Sequence, residues 1–212
     1  MIEKLATATG LTIPCYEVLD IIKEVKDKNI SVAEIGVGIG ATALEIMKLL
    51  NENDHYYMFG FEDDVLELES DLRGLDFKCK NIHAMGNSRR TYDSYNWSLA
   101  QLYLSSDNKD IFDIVYLDGG HIFFHDALAC CLLKKLTKTG GYIVFDDIDW
   151  SYAISPTSNP KKWPMVTQLL TEEQIETCQV AMIVDIFMKD DPTWELVEKF
   201  SSSHRKTYKR VK

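Results

Sequence analysis

Hydrophobic residues in this chain form short unbroken runs that alternate with longer stretches of helical spacing. The runs predict β-strands, because about four to eight consecutive apolar residues are typical of strands buried in a parallel sheet. They lie at residues 30–35, 56–61, 81–85, 111–117 and 142–145. The helically spaced stretches predict amphipathic helices between and around these strands. They lie at residues 15–28, 41–50, 65–72, 92–104 and 124–136.

Five cycles of strand and helix predict an α/β fold. Strands that alternate with helices at this spacing form a mostly parallel central sheet, with helices on both faces and right-handed crossovers. The helix at 124–136 is expected to bury one apolar stripe against the sheet. The members of that stripe are Phe124, Leu128, Cys131, Leu132 and Leu136.

A long irregular loop is predicted after the fifth strand. Residues 148–166 contain three of the chain's five prolines and the aromatic residues Trp150, Tyr152 and Trp163, a composition that favours a loop. A loop of this length suggests an active-site lid. Its aromatic side chains either form a wall against a substrate or fix the loop to the core.

The C-terminal part is predicted to close the sheet with antiparallel strands. A capping-box pattern at Thr171 starts a helix, although the apolar run 180–188 also suits a strand. The apolar face of the predicted helix contains Ile175, Cys178, Met182 and Ile186. Segments 193–200 and 207–211 are expected to pair as an antiparallel hairpin.

Composition and charge restrict the kinds of partner. The chain has 212 residues, which predicts a single domain over 1–212, with an N-terminal arm and helix at 1–29. Its 23 basic and 33 acidic residues give a net charge of −10, so nucleic acid is not an expected partner and a small molecule fits better.

Neither a membrane span nor a signal peptide is evident, and five cysteines without a C-x-x-C pair favour a cytoplasmic protein. A homodimer is compatible with these features.

A glycine-rich segment after the first strand suits a nucleotide-like ligand. Glu34 is followed by Gly36, Gly38 and Gly40, which let the backbone approach a ligand beside a helix N-terminus. Glu62 follows roughly 20 residues later, the spacing of a carboxylate that binds ribose hydroxyls. The same glycines also complete a dinucleotide-binding fingerprint with the alanine that follows, so NAD binding stays open at this point, as does a simple tight turn.

Three segments resemble known methyltransferase motifs. Residues 34–40, EIGVGIG, resemble the first motif of the class I S-adenosylmethionine-dependent methyltransferases, and the order of elements from residue 30 onward is similar too. Residues 116–121, YLDGGH, and 140–147, GGYIVFDD, more specifically resemble the metal-dependent small-molecule O-methyltransferases of the macrocin and catechol types. The resemblance implies a Rossmann-like fold and methyl transfer to a hydroxyl of a small molecule, such as a sugar moiety or a secondary metabolite.

The resemblance also implies which residues bind S-adenosylmethionine. Glu34 and the glycine loop are expected to face its amino-acid portion, and Glu62 its ribose. Asn87 and Ser88, at the exit of the third strand, are expected to face the adenine, with Asp118 completing the cofactor site. Asn87 and Ser88 are equally suited to capping the next helix.

A divalent cation, usually Mg²⁺, is the second implied cofactor. The resemblance assigns it to Asp118, Asp146 and Asp147, which follow the fourth and fifth strands. Independently, Mg²⁺ prefers about six oxygen ligands, and carboxylates that converge from neighbouring strand ends suit it. Alternatively, Asp146 caps a turn and Asp147 is simply solvated.

The catalytic base is expected near Asp118, which is itself predicted to take part in catalysis. His121 lies three residues after it, where catechol-type relatives have a lysine base, and its unperturbed pKa is near neutral. Macrocin-type relatives usually have an aspartate where this chain has Gly120, so the assignment departs from that pattern. His121 could instead contact the cofactor or cap the following helix.

Two other functions compete with methyl transfer. An NAD-dependent oxidoreductase would need a Tyr-x-x-x-Lys pair or a separate substrate domain, and none of the six tyrosines between residues 92 and 152 has a lysine four residues on. A non-catalytic cofactor-binding protein of a biosynthetic complex is the second alternative.

Overall fold

The computed structural model describes residues 13–25, 28–107 and 109–212. The predicted N-terminal arm therefore lies largely outside the described residues, and only its helix is included. The α-helices are α1 Tyr16–Val25, α2 Ala41–Leu49, α3 Glu62–Arg73, α4 Tyr95–Ser105, α5 Phe123–Leu136, α6 Val166–Leu169, α7 Glu172–Glu176 and α8 Gln179–Phe187. The strands are β1 Ser31–Ile35, β2 His55–Phe61, β3 Asn81–Asn87, β4 Phe112–Leu117, β5 Thr137–Phe145, β6 Trp194–Leu196 and β7 Lys206–Arg210.

The strands form one seven-stranded sheet in the order β3-β2-β1-β4-β5-β7-β6. The first five strands in this order are parallel, and β7 and β6 are antiparallel. This confirms the predicted Rossmann-like fold class with its closing antiparallel strands. Because β1 pairs with β2 on one side and β4 on the other, successive crossovers diverge there, and ligands bind at such a point.

The core consists of two layers that sandwich the sheet. Alternate residues of β4 point to opposite faces, so Ile114 and Tyr116 pack with α1, α2 and α3, whereas Val115 and Leu117 pack with α4, α5 and α8. Every residue of β4 is buried, as expected of a central parallel strand. Among the described residues, no helix has the length and apolar character that a bilayer crossing requires.

The predicted buried stripe of α5 is wrong in its phase. Phe124 is 70% exposed and Leu128 51%, and of the five predicted positions only Leu136 is fully buried. The buried positions are Asp126, Ala127, Ala129, Cys130, Leu133 and Leu136. Ten of the fourteen positions of α5 are apolar, so periodicity alone does not select a face. The sheet takes the face with the small side chains, which allow close approach.

The C-terminal helix is broken where the sequence predicts continuity. The capping box of Thr171 and Gln174 forms as predicted, but α7 ends at Glu176 and α8 starts again at Gln179. The break changes the buried face: Ile175 is buried, whereas Met182 and Ile186 are exposed. The alternative of a strand at 180–188 is excluded. In the closing hairpin, residues 198–200 form a short 3-10 helix instead of extending the strand.

Candidate active site

A cavity of about 540 Å³ opens beyond the C-terminal ends of the parallel strands. This volume is within the range of small-molecule sites. Four chain segments line it: the glycine loop, the end of β2, the β3–α4 connection and the β4–α5 loop. The lining includes Gly36, Val37, Gly38, Gly60, Phe61, Asp64, Asn87, Asp93, Ser94, Tyr95, Asp118, Gly119, Gly120, His121, Ile122 and His125.

The three glycines after β1 serve different purposes. Gly36 has a φ of +89°, and a Cβ there would collide with the carbonyl oxygen of Asp118 and lie 2.8 Å from its carbonyl carbon. Gly40 is outside the cavity, and a Cβ there would lie 2.6 Å from Leu68 Cδ1 of α3. Gly38 has open space beside it and lines the cavity. Gly36 therefore allows the close approach of the β4–α5 loop, Gly38 leaves room for a ligand, and Gly40 allows close packing of α3.

Glu34 lies beneath the glycine loop and does not line the cavity. It is only 2% exposed, and the hydroxyl of Tyr56 donates a hydrogen bond to its carboxylate. Burial raises the pKa of Glu34 from 4.5 to about 8, and the nearby charge of Asp118 contributes to the increase. Glu34 is therefore largely protonated at neutral pH, and we expect it to support the glycine loop from below.

We expect Glu34→Gln to change how stability depends on pH. Between about pH 4.5 and 8 the folded state keeps a proton that the unfolded state has lost, so the free energy of unfolding falls as pH rises through this window. One pKa unit corresponds to about 1.4 kcal/mol, so the decrease is on the order of 4 kcal/mol. Between pH 5 and pH 8, the decrease measured by urea unfolding should be smaller by about this amount in Glu34→Gln than in the wild type, because other buried carboxylates with raised pKa values, such as Asp118 and Asp126, contribute in both.

The control for that measurement is Glu24→Gln, which removes an exposed carboxylate paired with Lys199. It should keep the wild-type pH dependence. Equal pH dependence in Glu34→Gln and the wild type would contradict a protonated Glu34.

Glu62 is beside the cavity but does not line it. It is the exposed first residue of α3, and its Cα lies 2.7 Å from where a Cβ of Gly86 would be. Gly60 and Phe61 before it and Asp64 after it line the cavity. The second strand therefore ends at the site as expected, with Asp64 as an acidic residue that the sequence analysis missed.

Asn87 and Ser88 are neighbours in the sequence but have different surroundings in the structure. Asn87 is 6% exposed and lines the cavity, and its Oδ1 has no hydrogen-bond partner in the described part of the chain. A buried acceptor without a partner suits a ligand that donates a hydrogen bond. Ser88 instead binds Asp93 Oδ2 through its backbone nitrogen at 2.7 Å and its hydroxyl at 2.6 Å. Asp93 in turn lines the cavity.

Tyr95 and Asp126 hold the β4–α5 loop in place. The Tyr95 hydroxyl donates to the Asp126 carboxylate and accepts from the Gly120 backbone nitrogen at 3.2 Å. Asp126 is 1% exposed, and burial raises its pKa. A Cβ at Gly119 would lie 2.7 Å from the Tyr95 hydroxyl oxygen. Sequence reasoning missed this pair because a carboxylate in an apolar helix gives no sign of its partner.

Asp118, His121 and Asp147 converge at the ends of β4 and β5. His121 Nε2 lies 3.2 Å from Asp147 Oδ2 and 3.7 Å from Asp118 Oδ1, and one ligand atom from each residue lies within 4.8 Å of the others. Burial and the charges of Asp146 and Asp147 raise the pKa of Asp118 well above its usual value. Two carboxylates and an imidazole are a donor set that fits a divalent cation.

Asp146 is adjacent in sequence but has different partners. It is 5% exposed, and the Tyr116 hydroxyl donates to its carboxylate. Arg205 Nε lies 2.9 Å from its Oδ1. The Tyr116 hydroxyl oxygen also lies 3.2 Å from Asp118 Oδ2, so the predicted trio is close together, but Asp146 faces Arg205. No sequence motif marks Arg205 as part of the site.

The first part of the 148–166 loop packs against the β4–α5 loop. The rings of Trp150 and His121 have centroids 5.1 Å apart, and Trp150 meets Tyr152 edge-on at 4.8 Å. Tyr152 is buried, and its hydroxyl donates to the Gly120 carbonyl at 3.4 Å. Tyr152 therefore fixes the loop to the site, and the half-buried Trp150 forms a wall beside His121. Trp163 is 40% exposed.

Comparison with known proteins gives a clear result for the fold. Neither a protein-family model nor a curated protein matches the sequence. Solved structures do match, including an O-methyltransferase from Bacillus cereus in complex with SAH, with a TM-score of 0.62, 11% identity and coverage of 100% of this chain and 87% of that chain. This chain has the fold of a class I methyltransferase.

Two further methyltransferase structures share this fold. TomG from Streptomyces achromogenes, involved in tomaymycin synthesis and in complex with SAM, matches with a TM-score of 0.61, 11% identity and coverage of 99% of this chain and 86% of that chain. The MycE methyltransferase of the mycinamycin pathway, in complex with Mg, SAH and mycinamycin VI, matches with a TM-score of 0.55 and 17% identity. That match covers 90% of this chain and 47% of MycE.

Proposed function

We propose that this protein is an S-adenosylmethionine-dependent O-methyltransferase that acts, with a divalent cation such as Mg²⁺, on a hydroxyl of a small molecule. A sugar moiety or a secondary metabolite is the proposed acceptor. The observation that carries the proposal is that one cavity is lined by the Gly36 turn and by Asp118 and His121, whose side chains cluster with that of Asp147. The ligands named for TomG, MycE and the Bacillus cereus enzyme support it.

The cavity has the chemistry to hold the methyl donor, which supplies a methyl group on a positively charged sulfur. The carboxylates of Asp64, Asp93 and Asp118 line it and favour a cationic ligand. Asn87 offers its free Oδ1 to a donor such as an adenine amino group. Glu62 stays our proposed ribose ligand, with Asp64 beside it, and Ser88 acts through Asp93.

Asp118 and Asp147 are the proposed ligands of the cation. When bound, a divalent cation lowers the pKa of an acceptor hydroxyl and orients it. His121 accepts the proton that the acceptor hydroxyl loses, and Asp147 beside its Nε2 stabilises the imidazolium that forms. The Trp150 ring, whose centroid lies 5.1 Å from that of His121, is the proposed shield of this proton transfer from water.

We expect His121→Ala to lower kcat about 100-fold or more, the usual contribution of a general base. Binding of SAH should stay within threefold of wild type, because the glycine turn and Asn87 are unchanged. Added imidazole should restore part of the rate by filling the space of the missing ring. An unchanged kcat in His121→Ala would show that another group takes the proton.

The proposed function is tested by a screen of hydroxyl compounds with labelled S-adenosylmethionine, with and without Mg²⁺. We expect label transfer to an acceptor hydroxyl, its loss in excess chelator and its return when Mg²⁺ is added back. Undiminished transfer in the chelator would eliminate the cation and leave the methyltransferase proposal intact. Binding of S-adenosylmethionine without transfer to any acceptor would favour the non-catalytic alternative.

Calorimetry with NAD distinguishes the oxidoreductase alternative. One Tyr-x-x-x-Lys spacing does exist, at Tyr208 and Lys212, but Tyr208 is buried in β7 against Phe145 and does not line the cavity. We therefore expect heat of binding with S-adenosylmethionine and none with NAD. A cytoplasmic location without nucleic-acid or membrane partners remains part of the proposal, supported by the net charge of −10.

A further inference from the structure

We propose that the guanidinium of Arg205 is the constant ion-pair partner of Asp146. Asp146 is then a positioning residue and takes no part in binding the divalent cation. This inference rests on the proposed function, because it assigns different roles to the three aspartates that were predicted to bind the divalent cation. Asp118 and Asp147 remain ligands, whereas Asp146 belongs to a buried ion pair.

Both carboxylate oxygens of Asp146 face the guanidinium of Arg205. At Oδ1 the Asp147 backbone nitrogen donates at 2.9 Å, and Arg205 Nε lies 2.9 Å away as an ion-pair contact in which its N–H makes no hydrogen bond. At Oδ2 Arg205 Nη2 donates at 3.2 Å, and the Tyr116 hydroxyl donates as well. A metal ion at Asp146 would have to displace the guanidinium, which already places a positive charge beside both oxygens.

Burial makes that displacement costly. Asp146 and Arg205 are 5% and 8% exposed, and separating a buried ion pair leaves an uncompensated charge. The pair also lies close to Asp118, because the Tyr116 hydroxyl oxygen is within hydrogen-bond distance of both carboxylates. Arg205 therefore offsets the repulsion between Asp146 and Asp118, and it does so without using a ligand atom of Asp118.

Asp147 shows the opposite arrangement. Its φ of +56° turns the backbone away from the strand direction, and its Oδ2 and Oδ1 face ring nitrogens of His121 at 3.2 Å and His204 at 2.9 Å. The side chains of Asp147 and Asp118 are 20% and 34% exposed. These two carboxylates are therefore more accessible to an incoming ion than Asp146, which is 5% exposed.

The ion pair also connects helix α1 to the site. Arg205 Nη1 donates to Glu17 Oε2 at 3.2 Å, and Ser202 donates to Glu17 Oε1 at 3.0 Å. Arg205 thus lies between two carboxylates, one on α1 and one at the end of β5. Glu17 is a second positioning residue, because it fixes the guanidinium that fixes Asp146.

The first test measures Mn²⁺ binding by electron paramagnetic resonance of free Mn²⁺, in the full-length chain at fixed pH. We expect Asp118→Asn and Asp147→Asn to weaken Mn²⁺ binding at least tenfold, and Asp146→Asn to change it less than threefold. The control is Asp185→Asn, an exposed α8 carboxylate paired with Lys189, which should bind Mn²⁺ like the wild type. Loss of Mn²⁺ binding in Asp146→Asn equal to that in Asp118→Asn would overturn the proposal.

The second test needs no metal. Urea midpoints of Asp146→Asn, Arg205→Gln and the double variant should show coupling, with the double variant losing clearly less than the sum of the single losses. Additive losses in the urea midpoint would contradict the proposed ion pair. If Arg205→Gln does not fold, Arg205→Lys replaces it, with a smaller loss expected because one charge–charge contact is kept.

The two tests separate the two proposals. If the wild type binds no Mn²⁺ and the urea midpoints are coupled, the proposed role of a divalent cation fails. The ion pair between Arg205 and Asp146 is then still supported. If Mn²⁺ binds normally and Asp146→Asn abolishes it, the proposed role of a divalent cation stands and our assignment of Asp146 fails.

Discussion

Gly36→Ala is expected to weaken binding of S-adenosylmethionine at least 100-fold. The new Cβ would collide with the carbonyl oxygen of Asp118, a backbone atom, and lie 2.8 Å from its carbonyl carbon. Relief of this collision requires the β4–α5 loop to move, and that loop carries Asp118, Gly120 and His121. Calorimetry with S-adenosylmethionine and with SAH measures the loss.

Gly140→Ala is the matched control for this substitution. Gly140 has a φ of +85°, close to the +89° of Gly36, and a Cβ added there would have no heavy atom of another described residue within 4 Å. Both variants therefore carry the same left-handed backbone penalty of about 1–2 kcal/mol, and only Gly36→Ala adds the collision. Binding within threefold of wild type in Gly36→Ala would contradict the proposed position of the methyl donor.

Asp118→Asn is expected to lower turnover about 1,000-fold, or roughly 4 kcal/mol of transition-state stabilisation. The substitution removes a charge that serves both the proposed cation and the methyl donor. The same variant should be more stable than the wild type at pH 7. Burial and the neighbouring Asp146 and Asp147 raise the pKa of Asp118, so the fold disfavours its charged form and a neutral side chain of equal shape relieves that cost.

Steady-state kinetics and thermal unfolding together test this expectation. Asp185→Asn again removes one exposed negative charge outside the site and should change neither quantity appreciably. A variant Asp118→Asn that is both less active and less stable would indicate a general structural defect instead of an exchange of stability for function.

The sequence determined where the strands end and which residues follow them. Runs of apolar residues predicted β1 to β5 to within a few positions, except that β5 starts before its two glycines. Parallel strands place their C-terminal ends at one edge of a sheet, so the glycine loop, Asn87, Asp118 and Asp147 had to come together. This part of the site follows from local patterns and a single topological rule.

The helix faces depended on tertiary packing. In α5 two overlapping apolar faces were available, and contact with the sheet selected the one with Ala129 and Cys130 over the one with Phe124 and Leu128. Hydrophobic periodicity specifies that a helix is amphipathic, but it does not rank faces that are nearly equal in apolar character.

Within the site, the sequence placed Asp146 and Asp147 together and only the structure distinguished them. Asp147 turns toward His121 and His204, whereas Asp146 turns toward Arg205, which is 59 residues further along the chain. Likewise, Glu34 lies under the glycine loop because Tyr56 on the next strand donates to it. Local sequence determines backbone conformation through short-range interactions, but the partner of a buried charge is determined by which distant residues the fold brings within hydrogen-bond distance.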